Sequence, residues 1–459
     1  MHGVKLLHFV VTVALFIVCW ILYYRNKYTE DFFHLKGDIL MYAVYGLTVA
    51  LMYRIYDAYN LGFQSEIDTV YAITLADAIT AIISYVMSAL MYMRITNPLP
   101  LFAMGLVQFA WNILWTVMAY RVYKHLHRAS GKGRKTVVIY RNEEDLARLE
   151  EVIQMEGKFD VVKYIQDPAD DYWSLEKELE GFEAVLVSGV NATLRNGIAK
   201  YCIDRNIRGY FAPHVGDIIM QGAFYMRCFS VPVMSVRRAE PTPEYLVTKR
   251  LFDVFVSGLA LIILSPVFLV TALAIKLYDG GPVLYKQTRL TKNGRKFKIL
   301  KFRSMRTDAE RDGVARLASE HDDRITPVGK FIRACRLDEL PQLINILRGE
   351  MSLVGPRPER PEIAAEYEKE IPAFSLRLQA KAGLTGLAQV YGKYNSTPYD
   401  KLQMDLMYIN KMSVTEDLRL LFATIRILFL KDSTEGIDEG KTTASGKKMK
   451  PESEKRVNV

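Results

Sequence analysis

At 459 residues the chain is too long for one ordinary domain and implies about two to four, each able to bury a core. Half of the residues are hydrophobic and only four are cysteine, which excludes a disordered chain and a disulfide scaffold. The formal charge of +9 suits a protein that lies against anionic lipid or handles anionic substrates. Nucleic acid is the weaker reading, because the basic residues sit beside apolar runs, and none is expected as a partner.

Four such runs open the chain, at residues 5–24, 38–53, 69–93 and 99–120. Each is about 16 to 25 residues, within or just under the length a helix needs to cross a bilayer core. The first run ends in WILYY rather than in the small residues of a cleavage site, so it is expected to stay as an anchor. Asp77, inside the third, is expected to face the bundle interior in a structural role. Arg121, Lys124, Arg128, Lys132, Arg134 and Lys135 follow the fourth run and place that end in the cytoplasm by the positive-inside rule. The N-terminus is then cytoplasmic too, against a mild opposing signal from Arg25, Lys27 and Lys36. Cys19, Cys202, Cys228 and Cys335 have neither paired nor metal-like spacing and read as buried thiols in a reducing compartment.

From residue 135 short β-branched runs at 136–140, 159–165, 184–188 and 208–211 alternate with amphipathic stretches, the pattern of a parallel α/β sheet of nucleotide-binding type. Its first turn, YRNEE, lacks the glycines that let a backbone approach a pyrophosphate. A structural or regulatory role follows for this degenerate Rossmann-like domain.

The next apolar run, 251–278, is long enough to span but is broken by Ser265 and Pro266, and proline kinks a helix by removing a backbone bond. Basic residues flank both of its ends. A re-entrant helix that bends at the proline keeps both clusters on one side of the membrane, and a kinked full span is the alternative. Strands at 283–289 and 296–305 are predicted to pair through Asn293-Gly294, with Lys301 and Arg303 on one face of the second. Thr326-Pro327 starts a helix over 328–336, and Leu340, Leu343, Ile344 and Leu347 have the spacing of another. Thr415-Glu416-Asp417 resembles a cap for a last helix, which either lies in the membrane interface or packs on the core. Residues 432–459 have a disordered composition.

The stretch LDELPQL sets two adjacent carboxylates, Asp338 and Glu339, at the start of the helix that follows, among arginines. Helix capping is the ordinary reading of such a pair. The setting suggests more, because guanidinium groups keep a carboxylate ionised and also bind phosphate oxygens, and oxygen ligands suit Mg²⁺. Phosphoryl transfer at a membrane surface, with an ionised Asp as nucleophile, is the reaction class these residues support.

From residue 249 to about 430 the sequence resembles the monotopic phosphoglycosyl transferases, the polyprenyl-phosphate sugar-1-phosphate transferases of bacterial glycan assembly. The stretches that carry the resemblance, in order, are KRLFDVFVSGLALIILSPVF, GPVLYKQTRL, FKILKFRSM, LDELPQLINILRGEMSLVGPRPE and GLTGLAQVYG. The N-terminal half is similar to the long form of that family. The resemblance implies a UDP-sugar donor, glucose or galactose being the usual sugars, and undecaprenyl phosphate as acceptor. It implies a covalent intermediate on Asp338 with release of UMP, a second acid in Glu339, and Mg²⁺ held by Asp338 and Glu339. Arg333 and Arg357 match phosphate-contacting positions, Lys301, Arg303 and Gln389 are further phosphate or substrate candidates, and Ser265-Pro266 matches the re-entrant kink. Where the family often has Arg-Pro-Gly this chain has Lys381-Ala382-Gly383, and Tyr391 and Lys393 stand where Asn and Arg are frequent.

The expected architecture is a membrane protein of α/β class. Residues 1–125 form four transmembrane helices, 134–236 the Rossmann-like domain, 237–245 a linker, and 246–431 a cytosolic α+β catalytic domain with the re-entrant helix. The expected location is the bacterial inner membrane with catalysis on the cytoplasmic side, as a homodimer on the lipid bilayer, at the first membrane step of capsule, exopolysaccharide or O-antigen synthesis. Two alternatives are a glycosyltransferase that releases UDP and a non-catalytic scaffold for polysaccharide assembly.

Overall fold

The computed structural model describes residues 2–25, 36–61, 64–129, 133–154, 158–168, 175–306, 324–392 and 397–427. Lys393 and the tail 432–459 lie outside them. The chain divides into two compact units, Met1–Pro213 and His214–Val459.

The first unit begins with α1 (His2–Cys19, prolonged by a wider turn over Trp20–Arg25), α2 (Lys36–Ile55), α3 (Glu66–Met91) and α4 (Leu99–Ala129). All four are long and apolar enough to cross a membrane. Ser65 caps α3 by accepting from the Asp68 amide at 3.1 Å. Polar side chains turn inward, as hydrocarbon demands: Asp77 accepts from the Tyr53 hydroxyl at 2.7 Å and from Asn112 at 2.8 Å. Asn112 in turn meets His8 at 3.0 Å, so Asp77 has the interior, structural setting its sequence context implies.

The α/β part contains β1 (Arg134–Tyr140), α5 (Glu143–Ile153), β2 (Phe159–Gln166), β3 (Ala184–Val187), α6 (Ala192–Asp204) and β4 (Arg208–Phe211). Its strands run parallel in the order β2-β1-β3-β4. The central pair is buried on both faces, which explains the unbroken apolar runs TVVIY and AVLV. Leu194 and Ile198 of α6 cover Val137, Ile139 and Val185 on one face, and Leu149 of α5 covers Val138 and Leu186 on the other. Beyond the strand ends, where a dinucleotide fold takes its phosphates, the buried Asp145 carboxylate lies against Gly189, at a place a Cβ on that glycine would occupy. A carboxylate there repels a phosphate, in keeping with the missing glycine motif.

The second unit opens with α7 (Val215–Gln221) and a hairpin, β5 (Phe224–Cys228) with β6 (Val231–Ser235). The division between the compact units, after Pro213, precedes the domain boundary expected at residue 236. Ile218 enters the core of the second unit, and Asn410 donates to the Ile218 carbonyl at 2.6 Å. The residues expected as a linker, 237–245, already enter α8 (Pro243–Ile263), because Thr242 caps it with Pro243 at its first position. The apolar pattern hid this start, since it begins only at Leu251.

After α8 comes α9 (Ser265–Asp279), bent from it by 61° at Leu264. Pro266 falls in the first turn of α9, where its missing N–H costs nothing, so the chain changes direction there instead of kinking mid-helix. The face of α8 at Tyr245, Lys249, Asp253 and Ser257 is turned inward. Lys249 binds Asp417 at 2.7 Å and Asp253 accepts from the Leu353 amide at 3.0 Å, anchoring the helix base to the core.

An antiparallel hairpin follows, β7 (Leu284–Leu290) and β8 (Lys296–Phe302), joined through a tight turn with Asn293 and Gly294 at φ 61° and 71°. Then come α10 (Pro327–Ala334), α11 (Gln342–Leu347), β9 (Ser352–Val354), α12 (Pro361–Glu370), β10 (Gly383–Thr385), α13 (Leu387–Val390), α14 (Pro398–Asn410) and α15 (Val414–Ile427). Phe297, Ile299, Leu343, Ile346 and Leu353 form the centre of the core. Asp417 is no helix cap: it accepts from Tyr245 at 2.9 Å and from Tyr408 at 2.7 Å, while Ser413 caps α15 through the Glu416 amide. Leu420 of α15 is fully buried, so this helix packs on the core. Of the thiols, Cys19 and Cys202 are buried as expected, but Cys228 and Cys335 are exposed because the hairpin and the end of α10 lie at the surface.

Candidate active site

Asp338 and Glu339 do not sit in the first turn of α11. They occupy a separate 3-10 turn, Leu337–Glu339, and Pro341 precedes the helix without any capping side chain. The turn is forced by Arg336, whose φ of 52° and ψ of 21° lie in the left-handed region that non-glycine residues seldom adopt. Leu337 packs with Ile275, Phe302 and Ile332, which pins the turn against α9 and α10. The capping explanation of the acid pair therefore fails, and the strained turn presents both carboxylates beside β8.

Two cations meet on one oxygen. Glu339 Oε1 accepts from Lys301 Nζ at 2.7 Å and from Arg357 Nη2 at 3.0 Å. Burial alone would push Glu339 up, yet Lys301 and Arg357 hold it well below the usual carboxylate range, so it stays ionised. Asp338 is different. Among the described residues its carboxylate makes no hydrogen bond or ion pair, and burial raises its pKa, with Lys301 opposing and the Glu339 charge adding to the rise. Arg333 and Arg357 act on Asp338 electrostatically from the same surroundings.

Asn345 ties α11, the helix that follows the acid turn, to β8. Its Oδ1 accepts from the Leu300 amide at 2.9 Å, and its Nδ2 donates to the Lys298 carbonyl at 2.9 Å and to Glu350 at 2.7 Å. Lys301, next along β8, is thereby set opposite Glu339. Sequence reading missed Asn345, because an Asn inside an apolar helix pattern gives no sign of its partner.

Lys301, Arg333 and Arg357 thus gather around the acid pair. Arg303 does not join the Glu339 pair: it leaves the strand and binds Asp279 at the end of α9. Gln389 donates to the Leu384 carbonyl at 2.9 Å, inside its own motif. That motif, GLTGLAQVYG, packs backbone to backbone on the loop carrying Arg357: Gly383 donates to the Pro356 carbonyl at 2.9 Å and Gly355 to the Thr385 carbonyl at 2.8 Å. A Cβ on Gly355, Gly383 or Gly386 would collide with main chain at 2.2 Å or less, which accounts for the glycines. The Lys381-Ala382-Gly383 departure also has a local counterpart, since the Ala382 amide, which proline would lack, donates to Thr291 Oγ1 at 3.1 Å.

Among the described residues no three His, Cys, Asp or Glu side chains converge as a metal cage. One free carboxylate beside one committed to two cations matches the way Mg²⁺ binds with substrate phosphates, through one or two carboxylates with the remaining ligands from phosphate and water. The dyad fits such an ion.

A unit rooted on a bent apolar helix pair and presenting an acid dyad among cations has the make-up of a membrane-associated transferase of phosphorylated groups. The profile of the bacterial sugar transferase family matches residues 244–431. The chain belongs to that family. It is 40% identical over 211 residues to a UDP-glucose:undecaprenyl-phosphate glucose-1-phosphate transferase of Caulobacter vibrioides, covering 44% of this chain and 79% of that protein. It is 43% identical over 189 residues to an exopolysaccharide production protein of Rhizobium leguminosarum, covering 39% of this chain and 94% of that protein. A UDP-N-acetylgalactosamine-undecaprenyl-phosphate N-acetylgalactosaminephosphotransferase of Aeromonas hydrophila is 41% identical over 191 residues, and the match spans 41% of this chain and about half of that protein, 45%.

Proposed function

We propose that this chain transfers a sugar 1-phosphate from a UDP-sugar to undecaprenyl phosphate at the cytoplasmic face of the bacterial inner membrane, in capsule or exopolysaccharide synthesis. The names of its relatives support the donor and acceptor classes. The observation that carries the mechanism is the asymmetry of the dyad: Glu339 is committed to Lys301 and Arg357, while Asp338 is left free to react. An oxygen of Asp338 attacks the sugar-bearing phosphorus. The bond to the bridging pyrophosphate oxygen breaks, UMP leaves with that electron pair, and an acyl phosphate holds the phosphosugar. An oxygen of undecaprenyl phosphate then attacks the same phosphorus and returns the carboxylate. Arg333 and Arg357 face the phosphate oxygens on which charge builds. Asp338 and Glu339 would hold Mg²⁺ together with the donor phosphates, where the ion would neutralise further charge.

The bent pair α8–α9 is read as re-entrant, which keeps Lys249 and Lys286 on one side of the bilayer. A homodimer anchored by the four spans is the assembly to test, by crosslinking in membranes. The reaction itself is tested by the nucleotide released: purified protein incubated with a panel of UDP-sugars labelled in the sugar, without lipid, should release UMP and retain label. Release of UDP, or label that never binds an enzyme active with lipid, would overturn the covalent route.

A further inference from the structure

The loop that carries Arg357 reads GPRPERP, residues 355–361. Pro356, Pro358 and Pro361 have no N–H, so the loop cannot hold itself in place through a backbone ladder. Three successive carbonyls are held from outside instead. Leu290 donates its amide to the Glu359 carbonyl at 3.0 Å, and Arg289 donates to the Pro358 carbonyl at 3.1 Å. The carbonyl of Arg357 itself accepts from Arg377 Nη2 at 2.9 Å.

Arg377 is only 3% exposed, on the 3-10 stretch Pro372–Gln379, and stacks over Phe374 at 4.9 Å. Its counter-ion is Asp405 of α14, 1% exposed, with Nη2 to Oδ2 at 2.6 Å. Nη1 reaches Glu359 at 3.6 Å, and Glu359 meets Arg289 on its other side at 3.8 Å. Burying a guanidinium and a carboxylate costs desolvation that well-packed apolar residues avoid, so this pair is a poor way to gain stability alone. What it supplies is direction: one fork spans the counter-ion, the loop acid and the peptide oxygen of the residue that grips Glu339.

We propose that Arg377, oriented by Asp405, is a positioning residue that sets the Arg357 guanidinium against Glu339 and the donor phosphates. It touches neither substrate nor dyad and acts through Arg357. The inference rests on Arg357 being a site residue, as proposed above.

The test is a double-mutant cycle on membranes or purified full-length protein, reading single-turnover UMP release from the UDP-sugar that supports it in the wild type. Arg377→Lys keeps the charge but loses the fork, and should slow release by about tenfold to a hundredfold, the loss a displacement near 1 Å can cause. In an Arg357→Ala background the same change should slow release less than about twofold, because the positioned group is gone. Asp405→Asn should repeat this pattern, and Asp405→Glu should restore part of the rate. The melting temperature should fall equally in both backgrounds, separating geometry from folding. Should Arg357→Ala be too slow to measure, the cycle is read as the Kd of the same donor. Equal losses in both backgrounds, or none in the wild type, would overturn the positioning role while leaving the dyad intact. An Arg357→Ala variant as active as the wild type would instead remove the role of Arg357.

Discussion

Lys301 Nζ and Glu339 Oε1 lie 2.7 Å apart, and this contact is the ground on which Asp338, not Glu339, is proposed as the nucleophile. A carboxylate that shares an oxygen between Lys301 and Arg357 is a poor attacking group, because both cations would have to be displaced as its charge moved to phosphorus. Asp338→Asn should therefore abolish UMP release and lipid transfer together, by roughly 10³-fold or more. Glu339→Gln should lose about 10²-fold, through misplaced cations, and still load label slowly. Loading by Asp338→Asn at a rate near the wild type would reverse the assignment.

The pH profile follows from the same asymmetry. If Asp338 reacts as the anion, as proposed, burial and the nearby Glu339 charge, against the opposing Lys301, move its pKa up, so the acidic limb of UMP release should lie above that of an ordinary aspartate. Glu339→Gln removes a negative charge and frees Lys301 and Arg357 to stabilise the Asp338 anion. Its acidic limb should shift to lower pH even though its plateau falls. Single-turnover rates from about pH 4 to 8 measure both limbs; a limb that stays in place or moves up would exclude this electrostatic role for Glu339.

Membrane topology is testable at the two ends of the bent pair. Lys249 is committed to Asp417, so a reporter belongs at Glu244, which is exposed, with a second at Lys286. With the exposed Cys228 and Cys335 replaced by serine, Glu244→Cys and Lys286→Cys should both resist an impermeant thiol reagent in intact cells and react after lysis. Labelling of either one from outside would convert the re-entrant pair into a broken span.

How far the sequence reveals this molecule depends on whether a signal is local. Apolar runs, strand alternation, Thr326-Pro327 and Asn293-Gly294 each act within a few residues, and the helices and turns form where these signals lie. The acid turn was only half legible. LDELPQL looks like a capped helix because nothing in it shows that Arg336 takes a left-handed conformation. Lys301 could be assigned a face but not a partner, and Arg303, expected on the same face, pairs with Asp279 because the strand ends at Phe302. Arg377 and Asp405 are invisible in the sequence, since the partners lie on separate elements with no shared pattern.

Truncation at two positions tests where the second unit begins. Every side chain around the dyad lies beyond residue 214, so a protein lacking residues 1–213 should bind membranes through α8–α9 and keep measurable UMP release. Extending the deletion to Ala239 looks harmless from the sequence, because it removes only linker-like residues and a hairpin. The structure predicts a cost. The cut strips Ile218 from the catalytic core, where it is 3% exposed, and leaves Asn410 without the carbonyl it binds at 2.6 Å. Losing a buried Ile side chain and a side-chain hydrogen bond should destabilise the unit by about 3 to 5 kcal/mol. The shorter protein should then melt at a clearly lower temperature and lose activity on warming before the protein cut at residue 213 does. Thermal melts with UMP release measured at each temperature make the comparison. Equal melting of the two truncations would show that α7 does not support the catalytic core. A protein cut at residue 213 that is folded and membrane-bound, yet releases no UMP, would place part of the chemistry in the first unit.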